Sequence, residues 1–342
     1  MEILSWLPVK YVLRMKCVCK QWFALTQDCQ FIEKHMSRVT NITRFYNTCP
    51  VRSAPSGSGR EIFQLICGCN GLLLSKSNAS GKYYIANQAT RQILELPDPR
   101  KNSFGMTFSF VPSSGYYKLV SVYDDNEEAG IEGCEILTIG SDNSWRTLNF
   151  PNLKNANKKR EKIMIVLAGE AVHCIRVNKV RTCFCTEIVS LDLENESFNS
   201  NIMPQGLFSD WEKVWALDWN GSLSFAFRVE EAINVMVLED YKKLKWGKEI
   251  ILVPLASMNS TSDLMENPVP LLTRSGDLWF WVKDKKLMAY NIESKKISHT
   301  IAAARGSKMS NCAVYIGPSS LITLKGMQPG EITTNGLQKF IF

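Results

Sequence analysis

Chemistry in this chain of 342 residues would have to come from its three histidines, its eleven cysteines and its carboxylates. A catalytic centre needs a nucleophile, a base or a metal at workable spacing. His35, His173 and His299 stand in three distant segments. The sequence holds no H-E-x-x-H, no G-x-S-x-G, no P-loop and no dinucleotide glycine fingerprint. Cys67/Cys69 and Cys183/Cys185 are C-x-C pairs, whereas metal-binding cysteines come more often as C-x-x-C. On a strand, residues i and i+2 share a face, so both pairs read as small core residues. His173 lies in an apolar run, as a core histidine would. Cys19 or Cys185 would be a nucleophile only beside a cation that lowers its pKa. The residues therefore predict no enzyme, no metal and no cofactor.

Composition narrows the class further. An odd number of cysteines, with no secretory signal at the start, predicts free thiols in a reducing cytoplasm or nucleus. No apolar run is long enough to span a bilayer, so no membrane role is expected. Net charge is +7, but the positive residues are scattered. Their densest run, Lys154, Lys158, Lys159, Arg160 and Lys162, sits in an asparagine-rich stretch and reads as an exposed loop. The acidic cluster Asp124, Asp125, Glu127 and Glu128 reads the same way. Nucleic acid is not expected as a partner.

With intrinsic chemistry set aside, the elements themselves carry the argument. Residues 2–22 run Glu-Ile-Leu-Ser-Trp-Leu-Pro-Val-Lys-Tyr-Val-Leu-Arg-Met-Lys-Cys-Val-Cys-Lys-Gln-Trp. Pro8 fits the first turn of a helix but not an interior, so a short helical segment should precede it and a longer helical run follow it. Val9, Val12, Leu13, Met15, Val18, Trp22 and Phe23 recur at the spacing of an amphipathic helix. This stretch resembles the F-box, the small helical module that docks on a Skp-type adaptor of a cullin–RING ubiquitin ligase. The resemblance implies adaptor contact through Leu4, Leu7, Pro8, Leu13, Val18, Cys19 and Trp22. An F-box usually begins further upstream, with a leucine–proline pair and an acidic helix. Met1 here falls inside that first helix, which implies an incomplete contact.

Helical character should fade near residue 45. Residues 47–59 supply turn and linker composition with no apolar period, which sets domains of 1–45, 46–60 and 61–342. Beyond residue 61, short β-branched and aromatic runs alternate with glycine, asparagine and aspartate turns. Asn70-Gly71 and Asn220-Gly221 are tight hairpin signals. A glycine precedes a strand at Gly71, Gly115, Gly169, Gly221, Gly276 and Gly317, in steps of 41 to 55 residues. A strand–turn–strand element follows the first five, at 84–97, 137–148, 189–198, 235–246 and 288–297. This period predicts a mainly β fold, a β-propeller of about six kelch-length blades, behind a small all-α module. Six leading glycines but five outer hairpins predict one composite blade where the two ends meet.

The same stretch resembles the F-box-associated domain of plant F-box proteins. Cys69-Asn70-Gly71-Leu72-Leu73, Asn87-Gln88-Ala89-Thr90-Arg91, Tyr116-Tyr117-Lys118-Leu119-Val120, Ser144-Trp145-Arg146, Leu191 to Phe198 and Trp246 carry the likeness. Together the two resemblances imply a substrate-recognition adaptor of an SCF-type ubiquitin ligase. The F-box would dock on the Skp adaptor and the propeller would hold a target protein whose identity is unknown. The alternative is a ligase-independent propeller binding module whose truncated F-box no longer engages the adaptor.

Overall fold

The computed structural model describes residues 2–38, 44–48, 63–100, 103–123, 133–151, 160–180, 183–255, 268–274, 276–282, 286–302, 313–330 and 340–341. The acidic cluster, most of the basic run and most of the expected linker lie outside them. Five antiparallel sheets of four or five strands follow one another along the chain. Their first strands are Phe63–Cys69, Ser103–Val111, Arg160–Ala168, Val214–Trp219 and Val269–Arg274, and these head blades 1 to 5. The sixth sheet has three strands, with Arg44–Thr48 in the middle, Ala313–Gly317 on one side and Phe340–Ile341 on the other. The architecture is a β-propeller with a few helices at its N-terminus. Five blades are complete rather than about six, and the remaining sheet is the composite in which both chain ends meet.

The glycine period marks one structural event. Gly71, Gly115, Gly169, Gly221 and Gly276 all adopt positive φ at the turn into the second strand of their blades. Asn70 and Asn220 also have positive φ, as a two-residue I′ turn requires. At Gly71 the turn is additionally crowded, since a Cβ would lie 2.8 Å from the Pro318 carbonyl oxygen. The outer turns share a second device. Asn87, Asp192, Asp240 and Asn291 each accept backbone N–H bonds two or three residues on. Arg91, Glu196, Leu244 and Lys295 then take positive φ before the outer strand.

The core lies between blades. Leu72, Ile85, Phe108, Leu119 and Leu137 join blades 1 and 2, while Val120, Ile136, Val172, Cys174 and Leu191 join blades 2 and 3. Further apolar layers join blades 3 to 4 and 4 to 5. Each blade is covered on both faces, so Asp277–Val282 is buried throughout instead of alternating. Trp219 and Leu217 are buried, and Trp215 of the same strand face is half-buried.

Polar ties link the outer hairpins. The Glu196 carboxylate takes both Arg146 Nη atoms, at 2.9 and 3.0 Å, and the buried Lys118 at 2.8 Å. Trp145 donates its indole N–H to the Pro97 carbonyl at 2.8 Å.

Further sequence expectations need correction. Gly317, expected to precede a strand, instead ends Ala313–Gly317, and no strand forms over 321–323. The boundary at residue 45 falls inside Arg44–Thr48, whose five residues pair with Ala313–Gly317. A central strand of five residues leaves little local period, and its partner is remote in sequence. The longer helical run after Pro8 divides at Lys16–Cys19 into α1, Val9–Met15, and α2, Lys20–Leu25. Lys162, read as a loop cation, lies on the first strand of blade 3 and donates to the Trp211 and Val214 carbonyls at 2.9 and 3.0 Å.

Candidate functional site

Before Pro8, residues Leu4–Trp6 form one 3-10 turn, and α3, Cys29–Arg38, closes the helical module. Pro8 at extended ψ breaks the chain between the turn and α1, as its fixed φ and missing N–H require. Cys19, also extended, caps α2 by accepting the Trp22 backbone N–H at its sulfur, 3.4 Å away. That cap, together with the β-branched Val18, accounts for the division of the helical run.

Charged groups on α3 hold the N-terminal turn. Arg38 donates to the Glu2 carboxylate at 2.7 Å and the Glu2 carbonyl at 3.1 Å, bonds Ser5 Oγ, and stacks over the Trp6 ring at 4.7 Å. Lys34 also bonds Glu2, and the two cations hold its carboxyl well below the usual range, at about 2. His35 is fully buried and donates from Nε2 to the Leu7 carbonyl at 2.8 Å. Burial lowers its pKa, so it stays neutral and pins the residue before Pro8.

The apolar residues of this module divide into a buried set and an exposed set. Val9, Val12 and Phe31 form a buried core, and Leu4, Leu7, Leu13, Leu25 and Ile32 pack partly against it. The core extends into the propeller, for it includes Leu321, with Ala89 beside it. Asn87 fixes that contact by donating from Nδ2 to the Ser320 and Ile322 carbonyls, at 3.1 and 2.8 Å. The module is therefore seated on blade 1 and on the segment that closes the ring.

The second set is open to solvent. Ile3 is 80% exposed, Val18 65% and Trp6 64%, with Tyr11 and Phe23 about half exposed. Soluble surfaces rarely gather so many large apolar side chains without a partner for them. Of the seven residues singled out from the sequence, Val18 and Cys19 are exposed, Pro8 and Trp22 are half-buried, and Leu4, Leu7 and Leu13 turn mostly inward. Ile3, Trp6, Tyr11 and Phe23 were absent from that set. The signal for them was available. The helices carry more large apolar residues than one core-facing stripe can hold, and the surplus is left exposed.

Elsewhere, several of the chemically suggestive groups singled out from the sequence are buried in the structure. His173 is buried, with Nδ1 2.8 Å from Ser190 Oγ and its ring edge-on to Tyr241. Burial pushes the Cys67 thiol up to about 12 and Cys69 up to about 11, and both pack against the layer between blades 1 and 2. Cys185 is half-buried, and the side chain of Cys183 lies outside the described set. Among the described residues, no three His, Cys, Asp or Glu side chains converge as a metal site, and no helix is long and apolar enough to cross a membrane.

Comparison with known proteins agrees with this geometry. The profile of the F-box domain matches residues 1–34, and that of the F-box associated beta propeller domain matches residues 21–316. Similar proteins come from Arabidopsis thaliana. At3g10240, which bears the name of an F-box protein, is 25% identical over 313 residues, spanning 81% of this chain and 76% of its own. The F-box protein At1g30790 is 21% identical over 395 residues, with 95% and 96% of the two chains covered. The F-box protein At5g49610 is 21% identical over 335 residues, with 86% and 88% covered.

Proposed function

This chain belongs to the F-box proteins that carry an F-box-associated β-propeller, and on that premise we propose that it is the substrate-recognition subunit of an SCF-type ubiquitin ligase. The helical module docks on a Skp-type adaptor, and through it on a cullin–RING ligase. The propeller holds the protein to be ubiquitinated. The chain itself is not an enzyme. It brings substrate and transfer machinery together and so raises the effective concentration of the target lysine. It works in the cytoplasm or nucleus, where exposed thiols such as Cys17, Cys19 and Cys29 stay reduced.

The observation that carries this reading is the set of exposed large apolar side chains, Ile3, Trp6, Tyr11, Val18 and Phe23, within the F-box stretch. Short helices presenting such side chains suit an apolar groove on a partner. Val18, Cys19, Pro8 and Trp22 contribute their exposed parts to that set. Leu4, Leu7 and Leu13 pack partly against the buried core instead. The test is a pull-down of purified Skp-type adaptor by the wild-type chain and by Trp6→Ala/Val18→Ala. Binding by the wild type and its loss in the variant support the proposal. Equal capture by both, or none by the wild type, rejects it in favour of a ligase-independent binding module.

A further inference from the structure

Inner strands of all six sheets surround an axial channel, and it contains a cavity of about 670 Å³. Small-molecule sites occupy roughly 300–1,000 Å³, so this one is large enough to hold a ligand. Its wall is mainly apolar, with Ile66, Met106, Phe108, Ile165, Leu217 and Leu272 among the lining side chains. Arg274 and Asp218 are the charged residues of that wall.

Arg274 ends the inner strand of blade 5 and is half-buried. Among the described residues, none accepts a hydrogen bond from its guanidinium or forms an ion pair with it. Its neighbours at the rim are already engaged. Thr273 Oγ1 donates to the Asp218 carbonyl at 2.8 Å and accepts the Asn220 N–H at 3.2 Å, which locks the ends of blades 4 and 5 together. Asp218 accepts the Gly221 N–H at 2.9 Å, and burial raises its pKa. The Cys67 thiol on the wall and the nearby Cys69 are held neutral by burial, so neither supplies a competing anion. A guanidinium fork with no described partner beside a cavity with a largely apolar wall matches a carboxylate with an apolar body.

We propose that the axial channel binds an apolar carboxylate, its carboxylate held by Arg274 and its body seated among Met106, Phe108, Ile165 and Leu272. A free aliphatic acid and the C-terminus of a polypeptide ending in apolar residues present the same chemistry. Calorimetric titration of the full chain distinguishes them. One pair of probes is octanoate and octanamide, and the other is a short acetylated peptide ending in two leucines, as free acid and as C-terminal amide. At least one acid should bind with one-to-one stoichiometry about tenfold or more tighter than its amide, as a charge-assisted fork requires. Preference confined to octanoate assigns the site to a small acid, and preference confined to the peptide assigns it to a chain terminus. Arg274→Ala should abolish the preference with an unchanged melting temperature, and Arg274→Lys should keep part of it. If Arg274→Ala fails to fold, the Lys variant and the wild-type acid–amide comparison decide. Acids and amides binding alike, or an undiminished preference in Arg274→Ala, overturns the proposal. The titration contains no adaptor, so its outcome is separate from that of the ligase reading.

Discussion

His173 and His35 are neutral in the folded chain because burial disfavours their charged forms, to a pKa of about 4 for His173. Unfolded, each would protonate near pH 6.5. Below that pH the unfolded state binds more protons, so stability present at neutral pH is lost as pH falls toward 4. For His173 the loss is on the order of 3 kcal/mol. We expect the melting temperature to fall between pH 6.5 and 4, and His173→Asn to fall less steeply across that window. Parallel curves for the two proteins would show that His173 is not the group responsible. Glu196 raises a related point. It is the ionic partner of Lys118, whose side chain is 8% exposed, so among the described residues Glu196→Ala leaves a nearly buried ammonium with only the Leu193 carbonyl. We expect a loss near the low end of about 3–5 kcal/mol in chemical denaturation. A loss below about 0.5 kcal/mol would mean that Lys118 finds water instead.

At the scale of elements, the F-box helices separate folding from docking. Leu7 and Leu13 pack partly on Val9, Val12 and Phe31, whereas Trp6 and Val18 project outward. Leu7→Ala/Leu13→Ala should therefore lower the stability of the helical module by about 2–5 kcal/mol and reduce adaptor capture as a consequence. Trp6→Ala/Val18→Ala should reduce capture with little change in helicity. Circular dichroism on the samples used for pull-down makes the comparison, and lost helicity in the second variant would contradict the division into buried and exposed sets. The blade hairpins obey simpler rules. Their turns combine an Asn or Asp that caps the backbone with a residue at positive φ, and such turns form from local chemistry alone.

The whole molecule is closed by its ends. Arg44–Thr48 is the middle strand of the sixth sheet, between Ala313–Gly317 and Phe340–Ile341, and Leu321 packs under the helical module. Helices and propeller therefore share a core layer. A chain beginning at residue 63 would keep five blades but lose that middle strand, exposing unpaired strand edges where the ring should close. We expect its melting temperature to fall well below that of a chain beginning at residue 44, and its proteolysis to start near residues 313–317. Equal melting of the two would show that the five blades close without the sixth sheet.

Sequence by itself determined the repeated parts. Gly71, Gly115, Gly169, Gly221 and Gly276 were legible because positive φ at a turn selects glycine locally. The five outer hairpins were legible because their strands and turns alternate over a few residues. Gly317 misled, because it ends the strand Ala313–Gly317 instead of turning into a new one, so the sixth leading glycine marked no sixth blade of the same kind. What only the tertiary structure decided depends on groups far apart in the chain. Arg44–Thr48 is a strand because Ala313–Gly317 pairs with it, and no local pattern encodes that register. Leu4, Leu7 and Leu13 turn inward while Ile3, Trp6 and Tyr11 remain open, because Phe31 and Leu321 select which apolar side chains of the short helices are buried. The channel at Arg274 belongs to the same class, since an axial cavity exists only where the inner strands of every blade converge.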